Sequence, residues 1–551
     1  MIIETKNCID CKKEFSIEDA DKPFYDRLGM SLPVQCPLCR LRQLFAFWIF
    51  GRFRKTISAL SGKTIITVFS ESVPFPLYDR TEWVGDGWDP LMYGRVYDPS
   101  KPFFEQYQNL QKSVPHPHQG GVGNTNSEWS DDVWYSRNCY LCRSLMNCEF
   151  CSYGYRIFDC KNSTDLVYCF KTEFSYDCLY CFNCYQVRHS FNSRDCVDSM
   201  FLYDCRNVQN SFMCWNLRNK QYHILNQPYS KEEYQNKLKE FDTRSWKSIQ
   251  KLKSEFEEIL KEKAVHRQNL NVNVTNSTGN LLNDDKNCEN CTFLDYSENC
   301  RHCWRGLRNK DVIDSVGTIA EKGALQVNPV GMYETVGTIS SSNCRYSYYL
   351  EYCEDCEYCF GCVSLRKKKY CILNKQYTEE QYKELIARMK VDMEKRGEWG
   401  RFFPYPLAPS GYNLSVGNIF FPSSKNEIIA LGGRWEEIHD TTQEGMNEDE
   451  IPDRIDEVSP DISKKPIICP ITKWKFNIAP HELEFCKQYG IPIPRNHFDY
   501  RALERFKRLA LLTTPRIGVC MFCKKNITHF YPPEFGYKKI ACVECYQAEI
   551  V

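Results

Sequence analysis

From Cys139 to Cys214 every third position holds a small or apolar residue, and twelve of these positions are cysteine. The series opens Cys139, Cys142, Leu145, Cys148, Cys151, Gly154, Ile157, Cys160 and stays in phase through Cys169, Cys178, Cys181, Cys184, Cys196 and Cys205. A three-residue period drifts around a helix of 3.6 residues per turn and misses the two-residue alternation of a plain strand. It predicts short strands broken by regular turns and stacked as a β-solenoid, with the third residues inward and Asn and Asp at the turns. A spacing of nine overlies it at Cys142, Cys151, Cys160, Cys169 and Cys178, and Asp precedes Cys at 159, 177 and 195. Together these set an expected coil of eighteen residues.

A second ladder follows. The segment from Cys214 to Asn226 aligns without gaps with Cys362 to Asn374, at an offset of 148. Cys288, Cys291, Cys300 and Cys303 share one phase of three, and Cys344, Cys353, Cys356, Cys359, Cys362 and Cys371 another. Residues 304–343 break the register and read as an insertion or as atypical coils. Each ladder ends in a capping box, Ser230 with Glu233 and Thr378 with Gln381, which predicts a helix that covers the open end of the stack. The first of these helices is expected to reach about Arg267. Residues 269–285 read as a polar linker, and residues 435–461, with eleven acidic residues against one arginine, as a solvated one.

The expected fold class is therefore mainly β and multidomain, with two Cys-laddered solenoid modules, each followed by a capping helix, between small zinc modules. The expected divisions are 1–45, a zinc ribbon; 46–130, an aromatic-rich connection; 131–228, the first ladder; and 229–285, helix and linker. They continue with 286–376, the second ladder with an insertion; 377–400, its helix; 401–465, a linker; 466–510, a degenerate ribbon; and 511–551, a C-terminal zinc ribbon.

Composition narrows the class. Lys plus Arg and Asp plus Glu each total 71, which disfavours a globally basic nucleic-acid binder. The opening residues show no secretory signal pattern, and no apolar run approaches a membrane span. Thirty-two cysteines without such a signal point to metal thiolates and buried thiols in a reducing cytoplasm before disulfides.

The metal candidates lie at the two ends. Cys8-x2-Cys11 with Cys36-x2-Cys39, and Cys520-x2-Cys523 with Cys542-x2-Cys545, have the paired spacing of tetrahedral Zn²⁺ sites, so two structural zinc ions are expected. Cys-Ile-Asp-Cys, Phe15, Phe24-Tyr25, Gly29, Pro33 and Cys36-Pro-Leu-Cys39-Arg40 resemble the zinc-ribbon/treble-clef modules of bacterial proteins, over about the first 45 residues. That resemblance implies zinc binding and no established wider role. An altered copy aligns at an offset of 461, with Cys469, Thr472, His497 and Tyr500 in the four ligand places. Thr and Tyr are poor zinc ligands, so this copy reads as a ribbon that lost its metal, or as an open Cys–His site.

The ladder cysteines admit three readings. They are small packing residues, further metal ligands (Cys139/Cys142 with Cys148/Cys151, Cys288/Cys291 with Cys300/Cys303, or Cys353/Cys356/Cys359/Cys362), or disulfides. No phosphate loop, nucleophile elbow or zinc-protease motif is present, so no catalytic residue is assigned. His116 and His118, followed by Glu128, Asp131 and Asp132, read as a surface loop or as the lining of a site. Two functions follow: a non-enzymatic zinc-binding scaffold or adaptor for protein or nucleic acid, or a metal- or thiol-dependent redox enzyme using the ladder cysteines. The nucleic-acid version rests on Arg40, Arg42, Arg52, Arg54 and Lys55 interleaved with Phe45, Phe47, Trp48 and Phe53.

Overall fold

A computed structural model describes all of the chain except residues 159, 170, 439–443 and 509–513. The chain folds as two compact units. The first comprises Met1–Gln119 and Asn269–Glu437; the second comprises Gly120–Gln268, Ile438–Ala510 and Thr514–Val551. Each unit is built on one eleven-stranded sheet, parallel except for its last pair.

In the second unit the sheet runs from Asp131–Trp134 to Gln227–Pro228. Its parallel register advances by twelve residues at every step, as in Asp131↔Arg143, Tyr155↔Val167, Tyr185↔Val197 and Val197↔Gln209. The backbone explains why. At every third residue, among them Asn138, Leu141, Ser144 and Asn147, φ lies near +50 to +60°, immediately before each inward side chain. That left-handed residue turns the chain, and four three-residue steps bring it back to pair with itself. Such φ values are uncommon outside glycine, with Asn and Asp the most tolerant. Amide ladders reinforce the turns: Asn183 donates to Asp195, Asn192 to Asp204 and Asn207 to Asn219, each twelve residues on.

The expected coil of eighteen is therefore corrected to twelve. The spacing of nine is real but is a diagonal contact: Cys142 Sγ donates to the Cys151 carbonyl at 3.2 Å and Cys178 Sγ to the Val187 carbonyl at 3.2 Å. Asp159, one of the three Asp–Cys pairs behind the longer period, lies outside the described residues.

The first unit repeats this design between Gly279–Asn283 and Lys375–Gln376. Its register is also mostly twelve, but Ile313↔Ala324 and Ile319↔Val330 advance by eleven. Shortened steps shift the phase of the inward column, and the sheet passes through Trp304–Leu307, Lys310–Glu321, Ala324–Val327 and Val330–Ile339 without interruption. Residues 304–343 are thus atypical strands and no insertion. Residues 269–285 are likewise no linker. Val272 and Thr275 bridge to Asn283 and Lys286, and the buried Asn271 takes an inward place, accepting from the Leu282 N–H.

Both capping boxes are present, at Ser230 before helix Lys231–Leu238 and at Thr378 before helix Glu379–Lys395. The first helical segment is broken: a second helix, Trp246–Glu262, starts from Ser245 and ends before Arg267. The region expected as a linker over 401–465 is largely core. Phe402, Phe403, Tyr405, Tyr412 and Val416 are buried in the first unit. Ile451, Ile455, Val458 and Ile462 pack with Ile467, Cys469 and Phe476 in the second. Acidic residues hide this apolar spacing of three and four; residues 439–443 of the acidic stretch lie outside the described residues. The aromatic connection is core too, with Trp83, Phe103, Tyr107 and Leu110 wholly buried in the first unit.

Candidate metal centres

Each cysteine quartet is assembled by a hairpin and a helix start. Strands Ile2–Asn7 and Glu14–Glu18 pair antiparallel, and Cys8 and Cys11 occupy the turn between them, closed by Lys12 at φ 62°. Cys36 caps helix Pro37–Ala46 and Cys39 lies in its first turn. The C-terminal quartet repeats the plan with strands Arg516–Val519 and Asn526–His529, Lys524 at φ 62°, and Cys542 capping helix Val543–Ile550. In each quartet all four Sγ atoms lie within 4.8 Å of one another. Cys11 and Cys36 Sγ are 3.8 Å apart, and Cys523 and Cys542 Sγ 3.9 Å. Four sulfurs about 2.3 Å from one tetrahedral ion would be about 3.8 Å apart, so both sets fit a metal.

The electrostatics agree. The Cys39 thiol, hydrogen-bonded to Cys36, draws Cys36 down to about 5, and Cys39 is pushed up in turn. At the other end burial opposes ionisation of Cys520, but the N–H groups of Cys542, Cys523 and Phe522 outweigh it and bring it to about 6. Each quartet therefore holds a ready thiolate, and ionising the remaining thiols beside it calls for a cation.

The altered third copy keeps the scaffold. Strands Ile467–Ile468 and Lys475–Phe476 pair, Lys473 has φ 61°, and Gly490 ends helix Pro480–Tyr489 at φ 61°, as Gly29 does its own segment. Cys469 Sγ accepts from the Thr472 N–H at 3.5 Å. His497 caps helix Phe498–Lys507, with Nδ1 accepting from the Asp499 N–H. Asp499 Oδ2 lies 3.8 Å from His497 Nδ1, but among the described residues Cys469 and His497 belong to no group of three or more mutually close ligand atoms.

The ladder cysteines are all buried and none is in a disulfide. Among the described residues they do not gather into a metal-binding group, so the three candidate ladder sets are not assembled as ligand clusters. Their sulfurs act as donors instead. Cys181 Sγ reaches the Leu179 carbonyl at 3.5 Å and the Ser190 carbonyl at 3.4 Å; Cys353 Sγ reaches that of Cys362 at 3.3 Å. Burial pushes Cys169 and Cys214 up to about 12, which keeps them protonated. Cys356 runs the other way, lowered by hydrogen bonds from Cys344 and Cys359, yet it is fully buried. Serine takes the same place: Ser193 Oγ donates to the Phe191 carbonyl and accepts from the Cys205 N–H. The inward column thus needs small side chains that can donate as well as fill space.

The basic cluster after the first quartet is structural in part, with Lys55 exposed and Arg52 and Phe53 half-buried. Arg40 is buried, its Nε 2.8 Å from Asp314, which also accepts from the Tyr25 hydroxyl at 2.5 Å. Arg54 donates to the carbonyls of Phe69 and Ser70. Phe45, Phe47 and Trp48 are core residues and cannot stack on bases. His116 and His118 sit in the first unit, where His116 Nε2 is 3.5 Å from the buried Glu351; Asp131 belongs to the second, accepting from the Gly120 N–H.

Arg501 of the altered module, which aligns with Arg40, sits 2.8 Å from Asp165 of the second unit's sheet. Asp165 and Asp314 both occupy left-handed corner positions. Each unit therefore holds a hairpin-and-helix module against its sheet through the same buried Arg–Asp clamp. The offset of 461 contained the arginines, but the aspartates are chosen by topology. Searches for a matching family model, a curated relative or a similar solved structure found none.

Proposed function

We propose that this chain is a zinc-binding, non-enzymatic scaffold or adaptor, in which two Cys-laddered β-solenoids are each joined to a treble-clef-like module. The observation that carries this reading is the pair of four-cysteine clusters whose sulfur spacing suits a tetrahedral ion. The twelve-residue parallel register supports the solenoid, and helices Lys231–Leu238 and Glu379–Lys395 would close its ends. Zinc suits all-thiolate tetrahedral sites, and thirty-two unpaired cysteines suit a reducing cytoplasm. Among the described residues no helix is long and apolar enough to cross a membrane.

A protein partner is favoured over nucleic acid, because Arg40 and Arg54 of the basic cluster, with Phe45, Phe47 and Trp48, are committed to the fold and leave Lys55 as its exposed cation, while the modules expose apolar residues. Ile9 and Leu38 flank the first quartet, and Ile517 and Val519 lead into the second. The redox reading finds less support, since the ladder thiols are buried hydrogen-bond donors. Elemental analysis of purified full-length protein tests the proposal: two zinc ions per chain and no visible absorption are expected. A visible thiolate-to-metal or iron–sulfur band, or many more than two metal ions, refutes it.

A further inference from the structure

The two units share the Arg–Asp clamp, so what the second adds beyond it needs a separate reason. In the first unit the strand after Asp314 brings Ala324 and Leu325 beside it, and the next brings Val336 and Gly337. In the second unit the equivalent places hold Tyr176 and Asp177, then Arg188 and His189. Of these, Tyr176, Asp177 and His189 border a cavity of about 280 Å³ formed by the sheet, helix Trp246–Glu262 and helix Phe498–Lys507.

Asp177 is fully engaged, accepting from His189 Nδ1 at 2.9 Å, Lys253 Nζ at 2.6 Å and Arg505 at 3.1 Å. Its carboxylate fixes the histidine proton on Nδ1, which leaves Nε2 as an acceptor. Burial, with Lys253 nearby, lowers His189 to about 4, so the ring is neutral at pH 7. Among the described residues nothing donates to His189 Nε2 and nothing bonds to the Tyr176 hydroxyl, although both residues are more than nine-tenths buried and line the cavity. Buried polar groups are ordinarily satisfied, by protein, water or ligand. The clamp does not require them, because the first unit makes it without them.

We propose that this cavity binds a small, planar, neutral heterocycle whose edge carries an N–H donor next to a carbonyl acceptor. The N–H meets His189 Nε2 and the carbonyl accepts from the Tyr176 hydroxyl, while Phe191, Phe201 and Trp246, packed against Arg508, His189 and Arg495, add apolar lining. Neutrality follows from the lining, where Lys253, Arg501, Arg505 and Arg508 are balanced by Asp165, Asp177, Glu257 and Glu504. The volume, at the lower end of ligand cavities, limits the guest to one or two fused rings.

Calorimetric titration of the full chain with uracil and hypoxanthine tests this. Saturable binding at one site is expected, weakened about tenfold or more by Tyr176→Phe, which deletes one hydroxyl and leaves the ring in place. His189→Leu should weaken it likewise, with the melting curve of each variant checked for folding. 1,3-Dimethyluracil, which lacks the N–H, should not bind. No saturable binding of either heterocycle up to its solubility, or equal affinity in wild type and Tyr176→Phe, overturns the proposal; the cavity then holds only water.

Discussion

The hydrogen-bonding role of the ladder thiols can be tested at Cys181. It is wholly buried, its sulfur donates to the Leu179 and Ser190 carbonyls, and serine occupies the equivalent place one coil on, at Ser193. Cys181→Ala removes a buried sulfur, worth about 1 kcal/mol of transfer free energy, and a hydrogen bond worth about 0.5–1.5 kcal/mol, before any cavity cost. A loss of about 2–3 kcal/mol follows. Cys181→Ser keeps the donor and nearly the volume, so it should cost less than about 1 kcal/mol. Cys181→Leu forces a branched side chain into a closed column and should cost about 3 kcal/mol or more. Urea unfolding followed by far-ultraviolet circular dichroism ranks the three, with constant m-values as the check on two-state behaviour. If serine proves as damaging as alanine, the sulfur is acting as a pure apolar filler or a metal ligand, and the donor argument fails.

Two further outcomes are expected. A strong chelator, or Cys11→Ser for the first quartet alone, should melt the hairpin-and-helix modules while leaving the sheets folded, because structural zinc supplies on the order of 10 kcal/mol to such modules; amide exchange confined to residues 1–46 in Cys11→Ser is the readout, and unchanged protection there would contradict the metal assignment. Glu482, buried beside Tyr153, is raised by burial to about 7. A raised carboxyl binds its proton more tightly when folded, so its stabilising contribution is complete below about pH 4.5 and falls by about 3 kcal/mol as pH rises through 7. Glu482→Gln should flatten that part of the stability–pH curve, and an unchanged slope would contradict it.

The period of three was legible because each inward residue follows an obligatory turn, and only small side chains fit there. Coil length was not legible: Cys142 and Cys151, like Cys205 and Cys214, advertise the diagonal thiol–carbonyl contact, while the strand register is held by backbone bonds that leave no mark on residue identity. Asn271 and the acidic stretch before Ile462 were illegible for different reasons: the Asn271 side chain is bonded inside, whereas the acidic residues are largely exposed and mask the buried Ile451, Ile455 and Val458 between them. Arg40 is the clearest case. Its neighbours Arg42 and Phe45 suggest a binding face, and only the arrival of Asp314, far along the chain, makes it a core residue. The two quartets were legible because a metal site needs local pairs at fixed spacing, and both halves of each pair lie on one turn.

The Arg40–Asp314 clamp also sets an order of events during synthesis. The first quartet and its helix leave the ribosome early, whereas the strand carrying Asp314 follows some 270 residues later. At about 5–20 residues per second the finished module waits roughly 15–50 s for its docking partner. In the second unit the order is reversed, because Asp165 is made long before Arg501. The first module must therefore stand alone with Arg40 and Tyr25 exposed, and if its quartet takes up the proposed zinc, this nascent-chain stage is where zinc starvation would do its damage. The altered copy meets a sheet that is already there.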